Sequence, residues 1–141
     1  MKSLKRILGI AWLFILPLLT AGETFCQSDK PTQVKRVRNA GVEEFDKLRA
    51  NTNAVVLDVR TKSEFDAGHI PGAINIDYNA PGFQEKVAKL DPSKIYLVHC
   101  AAGRRSANAC KVMEKIAFTN LVDLEPGFRA WEKAGKPVEK K

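Results

Sequence analysis

The sequence predicts an α/β fold, a single domain with a mainly parallel central sheet flanked by helices on both faces. Two observations point there. The segments "AVVLDVR" (54–60), "IYLVHC" (95–100) and "NLVDL" (120–124) are continuous apolar runs, as in strands covered on both faces. Between them lie stretches whose apolar residues recur at helical spacing. Alternation of buried strands with helices is the pattern of a parallel sheet sandwiched by helices.

Taken in order, "VKRV" (34–37) reads as a short edge strand, and "AGVEEFDKLRAN" carries Val42, Phe45 and Leu48 or Arg49 at helical spacing. Its acids fall in the first turn and its bases in the last, which suits the helix dipole. "AVVLDVR" is the first core strand. In "TKSEFDAGHIPG", Ser63 is placed to cap a single helical turn and Gly68 to end it. "AINI" (73–76) reads as a second buried strand, and "PGFQEKVAKL" as an amphipathic helix with Pro81 at its start. "DPSK" is a turn. "IYLVHC" is the third core strand, followed by "RSANACKVMEKIAF" with Ala109, Val112, Met113 and Ile116 on one face. "NLVDL" is the fourth, and "GFRAWEKAG" is a last helix stopped by Gly135, with Pro137 beyond it.

The first residues stand apart from this domain. Lys2, Lys5 and Arg6 precede the apolar run "ILGIAWLFILPLL", the layout of a secretory signal. The run is shorter than the ~20 residues that span a bilayer core, and Pro17 interrupts it, so no permanent membrane span is expected. Residues 1–22 are read as a signal peptide, with cleavage before Glu23 or before Gln27, 23–33 as a flexible lead-in, and 34–139 as the domain. The expected destination is outside the cytoplasm, in the periplasm. Lipid anchoring through Cys26 is disfavoured, because "ETF" lacks the small residue that such processing wants ahead of the cysteine. Loss of the signal takes the net charge from +7 to +4, a mildly basic surface with no nucleic-acid motif beside it. If Cys26 leaves with the signal, Cys100 and Cys110 remain, too few to staple a domain that builds its own core.

The chemistry concentrates in "HCAAGRRS" (99–106), which joins a strand end to a helix. In a parallel sheet, ligands bind at the carboxyl ends of the strands. A loop that leads into a helix directs backbone N–H groups inward, and the helix N-terminus adds roughly half a positive charge. Ala101, Ala102 and Gly103 let the backbone approach a bound anion closely, while Arg104 and Arg105 add fixed charge. That field favours the thiolate of Cys100, the nucleophilic form. Cys110, on a helical flank with Met113 and Ala117, reads as a small core residue, with a resolving cysteine as the alternative. His99 points to the opposite face from Cys100 and reads as a core histidine. His69 in "GHIPG" reads as a loop organiser, and two histidines this far apart predict no metal site.

Over residues 34–139 the chain resembles the rhodanese-like domain family, on the blocks "VVLDVRTKSEFDAGHIPGAINI", "VHCAAGRRSANAC", "LVDLEPGFRAW" and "GKPVE". The resemblance implies a sulfurtransferase of the thiosulfate type, with no cofactor. Cys100 would be the nucleophile and persulfide carrier. Ala101, Ala102, Gly103, Arg104 and Arg105 would hold the anionic donor, and Asp58 and Arg60 would order the pocket or form a purely structural salt bridge. Glu64 and His69 match structural positions. The implied partners are a small anionic sulfur donor and a thiol or cyanide acceptor, with a protein acceptor as a variant, and the chain is expected to be a monomer. Pro126 stands where the family commonly has the second glycine of "GG".

Loop length separates this reading from phosphate chemistry. Phosphatase and arsenate-reductase relatives place five residues between cysteine and arginine. Here four residues separate Cys100 from Arg105, and position 106 is serine, which is the shorter sulfurtransferase form. Two other roles use the same cysteine: a sulfur-relay module that works only on a docked partner, and a redox sensor.

Overall fold

The structure is a computed structural model and describes residues 37–141. The signal, the lead-in and the start of the expected first strand lie outside the described residues. Five strands form one sheet, β1 (Val37–Ala40), β2 (Ala54–Asp58), β3 (Ile74–Asn75), β4 (Ile95–His99) and β5 (Leu121–Leu124). Their order is β1-β5-β4-β2-β3, and every neighbouring pair is parallel. The helices are α1 (Val42–Arg49), α2 (Lys62–Ala67), α3 (Phe83–Val87), α4 (Arg104–Lys115) and α5 (Gly127–Lys133).

Side chains leave a strand alternately to its two faces, so the apolar runs feed two cores. On one face Leu57, Tyr96, Val98 and Leu121 pack with Phe83 and Val87 of α3 and Ala109, Cys110 and Met113 of α4. On the other, Val56, Leu97, Val122 and Leu124 pack with Phe45 of α1 and Phe128 and Trp131 of α5. The helices therefore cover both faces, as the sequence predicts. None of the helices among the described residues is long and apolar enough to cross a membrane.

Several boundaries differ from expectation, each for a local reason. The edge strand runs Val37–Ala40, later than "VKRV", and is fixed by pairing of Val37 with Leu121 and of Ala40 with Leu124. "AINI" supplies only Ile74–Asn75, at the opposite edge, and Ile74 is exposed, so this strand is not buried on both faces. Helix α2 is capped by Thr61 and not by Ser63. The Thr61 hydroxyl accepts from the Glu64 N–H, and the Glu64 carboxylate accepts from the Thr61 N–H at 2.9 Å, a reciprocal capping box. Pro81 precedes the cap of α3, which is Gly82. Cys100 and Cys110 are both free thiols.

Candidate active site

Cys100 follows β4, the middle strand of the sheet, and is 2% exposed. Residues 101–103 turn the chain into α4, with Gly103 as its cap at φ +84°. The turn is held from outside by α5. The Phe128 N–H donates to Cys100 O at 2.7 Å and the Arg129 N–H to Ala101 O at 3.2 Å. A trans peptide sets its N–H opposite its C=O. Pinning those two carbonyls to α5 therefore turns the amides of Ala101 and Ala102 the other way. Among the described residues, none of the amides from Ala101 to Ser106 has a protein acceptor. With the helix N-terminus behind them, they form a cradle for an anion next to the sulfur.

The two arginines of the loop differ. Arg104 is exposed. Arg105 is partly buried and bound in a fork to Glu64, through Nη1 at 2.7 Å and Nη2 at 2.8 Å. The Arg105 bond, opposed by burial and helped by Thr61, holds the Glu64 carboxyl down to about 2. Glu64 in turn raises the affinity of Arg105 for its proton, and the nearby Cys100 acts in the same direction. Glu64 thus reaches the loop through Arg105, beyond the structural position that the resemblance implies. The spacing Thr61 to Glu64 was the available sign of the cap. The ion pair with Arg105 spans residues far apart in sequence and had none.

Asp58 and Arg60 come together as a buried ion pair. Arg60 Nη2 is 2.6 Å from Asp58 Oδ2 and also donates to Gly68 O at 2.7 Å, while Nε reaches both carboxylate oxygens at 3.0 Å. The guanidinium lies over the Phe128 ring, 3.9 Å from its centre. With Glu64, Gly68, Phe128 and Glu132, Arg60 borders a surface cleft beside the loop. Asp58 has no exposed surface, so its contribution passes through Arg60. Ser106, the first residue past the arginines, brings its hydroxyl to 3.5 Å from Cys100 Sγ, a contact that sequence reasoning missed.

The histidines lie where the sequence puts them. The His69 Nδ1 is 2.9 Å from Phe65 O, its ring stacks on Phe65, and its backbone pairs with Glu139, which ties the C-terminal segment to the loop. His99 is fully buried against Phe45 and Phe128, on the sheet face opposite Cys100. Among the described residues neither of its ring nitrogens has a hydrogen-bond partner, although Asp58 Oδ2 is 3.7 Å away. Burial pushes His99 down to about 4, with Asp58 opposing and Arg60 adding to the shift. Burial likewise pushes the Cys110 thiol up, which keeps it inert.

These shifts give a dependence of stability on acid. An unfolded His99 takes up a proton near 6.5 and the folded one only near 4, so stability falls as pH drops through that window. The full loss is about 3 kcal/mol. Glu64 adds a smaller loss below 4.5, as its folded carboxylate is protonated toward 2, with its partial exposure screening the effect. Denaturant melts across this range should show the first decline removed in His99→Phe and retained in Glu64→Gln. A His99→Phe curve parallel to the parent's would refute the assignment.

The site is thus a cysteine at the end of a central parallel strand of an α/β domain, inside a short loop of free amides with one fixed arginine. The Rhodanese-like domain family matches residues 41–134, and the chain belongs to that family. It is 37% identical to thiosulfate sulfurtransferase 16 of Arabidopsis thaliana over 93 residues, 59% of this chain and 78% of that protein. With the thiosulfate:glutathione sulfurtransferase of Saccharomyces cerevisiae the identity is 30% over 68% of this chain and 80% of that one. The fold matches the crystal structure of a rhodanese-related protein from Thermoplasma volcanium at a TM-score of 0.66 and 32% identity, over 74% of this chain and 99% of that one.

Proposed function

We propose that this chain is a sulfurtransferase that moves sulfane sulfur from thiosulfate, or a similar small anionic donor, to cyanide or a thiol through a persulfide on Cys100. The supporting observation is the ring of free amides at Ala101 to Ser106, closed by Arg105, around one buried sulfur. In the first step the Cys100 thiolate attacks the outer sulfur of thiosulfate. The new S–S bond forms as the donor's S–S bond breaks, and sulfite leaves with the bonding pair. In the second step the acceptor attacks the outer sulfur of the persulfide, and Cys100 leaves as thiolate. The amides and Arg105 hold the negative charge of donor and persulfide in both steps. The near-complete burial of Cys100 favours small reactants over a bulky docked partner.

The test is the intact mass of the purified chain after thiosulfate treatment, beside Cys100→Ser. The parent should gain one sulfur, lose it on addition of cyanide or a thiol, and turn over as a monomer. Cys100→Ser should gain none. Sulfur retained in Cys100→Ser, or a parent that gains none, would overturn the mechanism. Export to the periplasm is proposed from residues 1–22 alone, and cell fractionation with the mass of the exported chain tests it.

A further inference from the structure

The cleft beside the loop holds charged groups that the chemistry above leaves unused. Arg60, Glu64, Ala67, Gly68, Phe128 and Glu132 enclose about 230 Å³ there. The cleft abuts the site, because Glu64 holds Arg105 and the Phe128 N–H holds Cys100 O. The Arg60 side chain is 5% exposed. Its Nε and Nη2 are taken by Asp58 and Gly68 O, and among the described residues its Nη1 has no acceptor. The buried side-chain nitrogens and oxygens left without partners there belong to His99 and Asp123, so Nη1 keeps an open surface, and the cleft is the space that Arg60 borders. Both Glu64 oxygens are engaged, by Arg105 and by Thr61. Glu132 is exposed, one turn after Phe128 on α5, and among the described residues its carboxylate pairs with no cation.

One wall of the cleft therefore offers free N–H donors and another a free carboxylate. The cations nearest to it, Arg60 and Arg105, already have carboxylate partners, so a bare anion such as thiosulfate would meet Glu132 uncompensated. A bare cation would leave Nη1 without an acceptor. A molecule that carries a carboxylate and an ammonium side by side satisfies both walls. The cleft is also smaller than the ~300 Å³ at which pockets for drug-sized ligands begin, which suits a head group of a few atoms.

We propose that this cleft is the acceptor subsite and selects thiols with an α-amino-acid head, Arg60 Nη1 taking the carboxylate and Glu132 the ammonium. The inference deepens the sulfurtransferase reading and rests on it. Donor and acceptor then have separate places, thiosulfate at the amides of the loop and the acceptor's head in the cleft. In the discharge step the acceptor thiol gives its proton to solvent, and its sulfur bonds to the outer sulfur of the persulfide. The bond from that sulfur to Cys100 Sγ breaks, and Cys100 leaves with the bonding pair. Arg60 and Glu132 make and break no bonds in this step; they decide which thiol is held there.

Two measurements on the purified chain test this. In the first, S-methylcysteine, which has the head and no thiol, is titrated in and the backbone amides are followed by NMR. Gly68, Phe128 and Glu132 should shift, and Glu132→Gln should weaken the binding about threefold, the scale of one solvent-screened ion pair. In the second, the persulfide loaded from thiosulfate is discharged by cysteine, cysteamine or mercaptopropionate. Each rate is divided by that for uncharged mercaptoethanol, which cancels the folded fraction of a less stable variant. The cysteine ratio should fall in both variants. Glu132→Gln should lower the cysteamine ratio about threefold and raise the mercaptopropionate ratio. Arg60→Lys keeps the charge without the fork, so it should lower the mercaptopropionate ratio about tenfold, the scale of a hydrogen bond between charged groups, and spare cysteamine. Amides around the cleft that do not move, or ratios that Glu132→Gln leaves unchanged, would overturn the proposal. A chain that takes no sulfur from thiosulfate would overturn the sulfurtransferase reading instead, and the titration would still decide whether the cleft takes the head group.

Discussion

Gly127→Ala should slow persulfide formation on Cys100 about a hundredfold, although Gly127 carries no chemistry of its own. A β-carbon there would stand 2.6 Å from Ala101 C, Ala101 O and Ala102 N, at φ +70°. Ordinary carbon contacts are ~3.5 Å or more, so the loop must retreat by about 1 Å. All three atoms are backbone, so no side chain can rotate away. The retreat would draw Phe128 and Arg129 off the carbonyls of Cys100 and Ala101, and those bonds aim the amides that we propose hold the donor. Gly103→Ala meets the same wall from the other side, with its β-carbon 2.1 Å from Glu125 O at φ +84°. Each should also cost about 3 kcal/mol of stability, from left-handed backbone and overpacking together. Gly135→Ala separates the two causes, because it has φ +69° with nothing within 4 Å. It should lose stability and keep its rate. Sulfur-loading rates near the parent's for Gly127→Ala and Gly103→Ala would show that the amides are not aimed by this contact.

The close approach of 101–103 to 125–127 also bears on Pro126. Where the family commonly has glycine, proline sits at φ −75° as the cap of α5, and the glycine that the contact requires is the next one, Gly127. The departure therefore leaves the wall of the site intact.

What the sequence reveals and what it hides follow from how far apart the interacting groups are. β2, β4 and β5 are legible because strands covered on both faces need unbroken apolar runs, and the loop at Cys100 is legible because small residues and arginines are contiguous there. β1 and β3 are poorly placed because edge strands carry exposed residues such as Arg38 and Ile74 and no burial pattern. Ser63 and Thr61 are equally good caps by residue type, and only Glu64 three residues after Thr61 separates them. The features that shape the site join distant segments: Phe128 and Arg129 on the loop carbonyls, and Glu64 on Arg105. No local pattern encodes such pairs. Asp123 lies inside an apolar strand run, which makes it look like a boundary residue and hides that it is buried.

Arg60→Ala should be the most destabilising single change in the domain, at about 3–5 kcal/mol, because it strands the Asp58 carboxylate in the core. That loss corresponds to a fall of roughly 20 °C in melting temperature for a domain of this size. Arg60 makes its bonds to Asp58 and Gly68 O with one rigid fork, so Arg60→Lys keeps the charge, loses part of the set, and should fall between. Removing both charges in Asp58→Ala/Arg60→Met should cost less than Arg60→Ala alone, since no unpaired carboxylate remains. The neighbouring histidine makes the test specific. Asp58 raises the proton affinity of His99 and Arg60 lowers it, with Asp58 Oδ2 3.7 Å from the ring. Without Arg60 the imidazolium becomes the available partner for the stranded carboxylate. The deficit of Arg60→Ala should therefore shrink as pH falls from 8 toward 5.5, values that bracket the ordinary histidine range of about 6.5. The parent over the same interval loses stability, for the reason given above, so the two curves should converge. Parallel curves would mean that His99 stays neutral beside a lone Asp58. A large rise in the thiosulfate KM with little change in melting temperature would instead place the guanidinium in donor binding, at the cleft it borders.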